Sequence, residues 1–123
     1  MKFMHKFSGI CFITLSLVGC AINTPADFRN SDPILSLRSM NEAEKVAMCI
    51  ADGWERMMNG FNMRPTKDGY MITFVYDGLV YYMADIANEK NGASVSTTKY
   101  WTGTFTLQSS IDKFGHVIKD CQN

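Results

Sequence analysis

Few side chains in this 123-residue chain have the types and spacing that chemistry needs. His116 and Asp120 stand four residues apart with Cys121 beside them, so a helix would bring them together as the nearest approach to a metal site. If Cys121 is consumed in a disulfide, too few donors remain for zinc. Ser109 and Ser110 precede His116, but no Gly-x-Ser-x-Gly elbow presents a nucleophile to it. Among the carboxylates, Asp52 and Glu55 share a helical face, while Asp85 interrupts an apolar run whose alternation groups it with Leu79, Tyr81 and Met83. A glycosidase pair needs two carboxylates across a cleft in unlike environments, which spacing along a chain does not supply. The plainer reading makes His116 an exposed helical residue and the acids solvated charges. No catalytic residue, metal or cofactor is expected.

The remaining chemistry belongs to the cysteines, and the first question is where they reside. Lys2 and Lys6 precede an uncharged apolar run from Phe7 to Val18, and the run closes on Leu17-Val18-Gly19-Cys20. Twelve residues are too few to span a bilayer, which takes roughly 20 apolar residues. Basic flank, short apolar core and small residues before a cut are the parts of an export signal. The box itself resembles the lipobox of bacterial lipoprotein signal peptides. That resemblance implies cleavage before Cys20, diacylglycerol on its thiol and an acyl group on its freed amine, with palmitate among the chains. Several acyl chains anchor essentially permanently, since each buried methylene contributes about 0.8 kcal/mol and two chains already suffice. The next residue, Ala21, is not the aspartate that retains lipoproteins at the inner membrane of enteric-type bacteria. The expected location is therefore the outer membrane, lipid-anchored and facing the periplasm.

In such an oxidising compartment, cysteine arithmetic becomes simple. Cys11 leaves with residues 1–19 and Cys20 takes the lipid, so the mature domain retains Cys49 and Cys121. One disulfide between them is expected. Two separate thiols or a redox pair are the alternatives, although nothing here resembles Cys-x-x-Cys.

The elements that must carry these residues are legible in outline. Residues 20–38, with Pro25 and Pro33 and no clear period, read as a lipidated cysteine and tether, although the apolar patch Pro33-Ile34-Leu35-x-Leu37 could dock on the domain. A single domain then fills residues 39–123. Ser39-Met40-Asn41-Glu42 has the form of a capping box, followed by Ala43, Ala47, Ile50, Trp54, Met57 and Phe61 at helical spacing up to Asn59-Gly60. Tyr70 to Tyr76 and Leu79 to Ile86 alternate around Asp77-Gly78, the favoured two-residue hairpin turn. Ser94 to Thr102 reads as a third strand. Ile111, Phe114, Val117, Ile118 and Cys121 mark a second helix, with Ser109-Ser110 as its cap. The fold class is thus α+β: helix, three-stranded antiparallel meander, helix, in two layers with both helices on one sheet face.

This order, with Cys49-Ile50-Ala51-Asp52-Gly53-Trp54-Glu55 and Met83-Ala84-Asp85-Ile86, is similar to small bacterial and prophage-encoded lipoproteins, a resemblance that transfers no functional residue. Removing Lys2 and Lys6 leaves ten basic against twelve acidic residues, a net of −2, without any basic cluster. Nucleic acid is therefore not an expected partner. Aromatic residues gather on the meander, and those standing on an open sheet face would form a protein- or glycan-binding surface. Tyr82, Tyr100 and Trp101 are the candidates. The function expected is a membrane-anchored, non-enzymatic binding or structural module whose partner is an envelope protein or glycan. A small envelope hydrolase working through Asp85 or His116, or a prophage lipoprotein that blocks a surface receptor, is the alternative.

Overall fold

A computed structural model describes residues 24–90, 94–104 and 106–123 of the chain. Cys11, Cys20 and the whole expected signal peptide lie outside the described residues. The elements are α1 (Pro25–Arg29), β1 (Leu35–Ser39), α2 (Ala43–Met57), β2 (Phe61–Pro65), β3 (Gly69–Tyr76), β4 (Leu79–Asn88), β5 (Ser96–Thr102) and α3 (Gln108–Asp120). The class is mixed α+β. No described helix is long and apolar enough to cross a membrane.

The sheet has five strands in the order β1-β5-β4-β3-β2, all neighbours antiparallel, where three were expected. β3, β4 and β5 are consecutive neighbours. Asp77 and Gly78 both take positive φ (52° and 77°), the mirror-image turn whose twist suits a two-residue hairpin. β2 extends the sheet beyond β3. Its sequence Phe61-Asn62-Met63-Arg64-Pro65 alternates, and Pro65 is tolerated because an edge strand leaves one side of its ladder unpaired. β1 extends the other edge, with Leu35 opposite Tyr100 and Ser39 opposite Ser96.

That pairing overturns the expected capping box. Ser39 closes β1, and its hydroxyl accepts from the Asn41 amide and donates to the Gln122 carbonyl. Helix α2 starts four residues later, and its first amide, Ala43 N–H, is capped from across the fold by Asn88 Oδ1 at 2.7 Å. α2 also stops at Met57, so Phe61 reaches the core from a strand. Likewise Ser109 and Ser110 fall within the first turn of α3, whose cap position is Leu107.

Helices α2 and α3 cover one sheet face, and the main core lies between. Ala43, Val46, Ala47, Ile50 and Trp54 of α2 meet Ile72, Tyr82, Ala84, Ile86 and Tyr100 of the sheet, with Phe114 and Ile118 of α3. Trp54 is the hub. Its ring centre lies 4.9 Å from Phe61, 5.6 Å from Phe114 and 5.9 Å from Tyr100, and its Nε1 donates to the Phe114 carbonyl at 3.0 Å. The two helices come close at Gly53, where a Cβ would fall 2.6 Å from Val117 Cγ1. Below the crossing, Cys49 and Cys121 form a disulfide, with Cα atoms 5.7 Å apart.

The other sheet face is not left open. The stretch read as a tether folds instead into α1 and β1. Thr24 caps α1 by accepting from the Asp27 amide, Pro25 occupies the first turn, and Phe28 is fully buried against Val80, Met83 and Trp101. A small second core therefore sits behind the sheet, and the domain has a partial third layer.

Candidate functional site

The clasp that holds α1 uses much of the chemistry noticed in the sequence. Asp85 alternates with Met83 on the α1 face of β4, where its carboxylate receives Arg29 Nε at 2.9 Å and Arg29 Nη2 at 3.2 Å. The hydrogen bond to Asp85 raises the guanidinium's already high pKa further, so Arg29 stays charged. Arg29 Nη2 also contacts Met71 Sδ at 3.2 Å. Trp101 Nε1 donates to the Ser31 carbonyl at 3.1 Å, just past the helix end. Asp85 is thus a structural anchor.

The three aromatics proposed as a binding surface are all buried, and this corrects the sequence reading. Tyr82 and Tyr100 are 7% and 0% exposed, and both face the helices. Trp101 is 4% exposed on the opposite face, beneath Phe28. Both sheet faces are covered, by α2 and α3 on one side and by Phe28 of α1 on the other, and β4 also carries a β-bulge. Phe74 pairs with Tyr82 and Val75 with Val80, so Tyr81 is an extra residue and the strict alternation assumed for β4 breaks there. Tyr81 and Tyr82 consequently both lie against the helix-side core, while Val80 and Met83 belong to the other face. Tyr100 donates its hydroxyl to the Ile111 carbonyl at 3.0 Å, and burial pushes its pKa well above the ordinary tyrosine value. It is a neutral core residue.

The other candidate chemistry stays apart. His116 and Asp120 form an exposed pair at 3.5 Å on α3, while Cys121 is held in the disulfide. Among the described residues no three His, Cys, Asp or Glu side chains cluster as metal ligands would. Asp52 is paired with Arg56 on α2, and Glu55 accepts from the Phe61 amide where the chain turns into β2. Arg38 and Glu89 form a two-pronged pair at 2.7 and 3.0 Å, and the hydrogen bond from Arg38 lowers the Glu89 pKa; lying at the surface, the pair adds little to stability.

Part of the α1 face stays open beside α1. A groove of about 270 Å³ lies there, lined by Asn62, Arg64 and Thr73 beside Met71, Val75 and Val80, with Thr24 and Pro25 at its rim. The strands place these side chains together because Asn62 pairs with Thr73 and Arg64 with Met71. It brings a cation, an amide and a hydroxyl beside apolar side chains. A second groove of about 240 Å³ lies where β1 meets α3, with His116, Asp112 and Lys119 at its edge. Neither was found in the sequence. The alternation of β2 was the available signal for the first, and Thr24-Pro25-Ala26-Asp27, a capping threonine before a proline, was the signal for α1.

No family model, curated protein or solved structure matches this chain.

Proposed function

We propose that this is a lipid-anchored envelope protein, attached through Cys20, whose domain is a non-enzymatic binding or structural module. The observation that carries the reading is the division of its cysteines. Cys49 and Cys121 bond to each other across the two helices, a bond that persists in an exported protein and not in reducing cytosol. Export is what the basic flank, apolar run and Leu17-Val18-Gly19-Cys20 of the N-terminus would bring about. Ala21 favours the outer membrane, with the domain facing the periplasm.

A binding role rather than a catalytic one is supported by how the ionisable groups are used. Asp85 holds α1, His116 pairs with Asp120 at the surface, and Asp52 pairs with Arg56. An envelope protein or glycan is the class of partner that the groove beside Arg64 and Asn62 suits. Growing cells with a fatty-acid analogue tests the anchor. The parent chain should take up label, and Cys20→Ser should take up none and remain unprocessed or soluble. Label persisting in the Cys20→Ser chain would sink the reading.

A further inference from the structure

The course of α1 fixes which end of the domain its anchor approaches. Thr24 lines the same groove as Val75 and Gly78, at the turn of the β3–β4 hairpin. Phe28 then packs on Val80 and Met83, and Arg29 reaches Asp85 farther along β4. Helix α1 therefore runs away from the hairpin turn, and the chain enters the fold beside that turn. Cys20 precedes Thr24 by only four residues, a reach of at most about 14 Å.

That end of the sheet is apolar where it meets solvent. Val75, Tyr76 and Leu79 are 45%, 65% and 39% exposed, flanking the turn from both strands. Tyr76 packs edge-on against Tyr81, so its exposed ring is supported from one side. A tyrosine between two aliphatic residues suits the boundary between lipid headgroups and acyl chains, where an apolar ring and a polar tip are both accommodated. Asp77, at the point of the turn, favours the headgroup level over deeper insertion.

Resting on the Cys20 anchor, we propose that the β3–β4 hairpin tip is a second membrane contact: Tyr76, Val75 and Leu79 enter the interface of the same bilayer that holds the acyl chains. The domain then stands on the membrane with its sheet upright. The opposite end, where Gly69 pairs with Ala87 and Lys90 follows β4, points away.

Tryptophan reporters in the full-length chain test this, because the native Trp54 and Trp101 are buried and give a constant background. Chains carrying Tyr76→Trp, Leu79→Trp or Lys90→Trp are purified from membranes and reconstituted in phosphatidylcholine–phosphatidylethanolamine vesicles with or without brominated acyl chains. The mass of each N-terminal peptide reports the acyl groups on Cys20 in the same samples. With Cys20 acylated, brominated lipid should cause loss of the added emission in Tyr76→Trp and Leu79→Trp and none in Lys90→Trp. An acylated chain in which neither tip reporter is quenched overturns the second contact and leaves the anchor standing. A mass without acyl groups removes the anchor, and the second contact with it.

Discussion

Replacing Cys49 or Cys121 with alanine should lower the stability of the domain by about 4 kcal/mol, and replacing both should lower it little further. The bond closes a loop of 72 residues, for which the chain-entropy account gives roughly that figure. A domain of this size has only about 5–15 kcal/mol in all, so each variant should be close to unfolding at 37 °C. The two single variants need not match fully. Cys121 is buried at the end of α3 and Cys49 is exposed on α2, so Cys121→Ala also removes some packing, worth about 1 kcal/mol. Denaturant titration of the single and double variants checks both points. Additive losses, or two alkylatable thiols in protein isolated without reductant, would contradict the bridge.

Trp54→Ala should cost about 4 kcal/mol, at the upper end of large-to-small core changes. Its indole is fully buried, touches Phe61, Tyr100 and Phe114, and satisfies the Phe114 carbonyl. Truncation leaves both a cavity and an unpaired acceptor on α3, and these penalties combine. Met48→Ala, on the exposed side of the same helix, should stay within about 0.5 kcal/mol. Thermal melts of the two variants separate the cases. Equal melting temperatures would mean that Trp54 is not the hub between the helices and the sheet.

Much of the helix-side core was legible because helical and strand periods report burial directly. Ala43, Ala47, Ile50, Trp54, Phe114 and Ile118 all face the sheet as their spacing implies. Asp77-Gly78 fixed the hairpin, since few sequences other than this one accept two positive φ angles in a row. What spacing could not reveal was competition between partners. Ser39 has the form of a helix cap, yet it serves the β1–β5 ladder, and a distant Asn88 caps α2 in its place. Phe61 fits the stripe of α2 and reaches the same core from β2. The bulge at Tyr81 put Tyr81 on the same face as Tyr82 and moved Val80 to the opposite one, because one extra residue shifts every side chain beyond it. Residues 24–38 show no period because α1 and β1 are five residues each, too short to repeat one. Their burial depends on what they meet rather than on their own repeat: Phe28 of α1 packs on Trp101 and Met83, and Leu35 and Leu37 of β1 pack on the helix-side core.

The candidate surface was misplaced for the same reason. Aromatic residues on a sheet are legible as β-formers, but which of them meets solvent depends on what covers each face. Here α2 and α3 cover one side and α1 covers part of the other, leaving Asn62, Arg64 and Thr73 in the open groove.

The central claim, that the chain is held at the membrane through Cys20, is tested most directly by the mass of the mature N-terminal peptide, released by protease from protein extracted from membranes. The account predicts that the peptide begins at Cys20 and carries diacylglycerol on the thiol and a further acyl chain on the amine. A peptide that begins upstream of Cys20, or one that begins at Cys20 with no acyl mass, would contradict it.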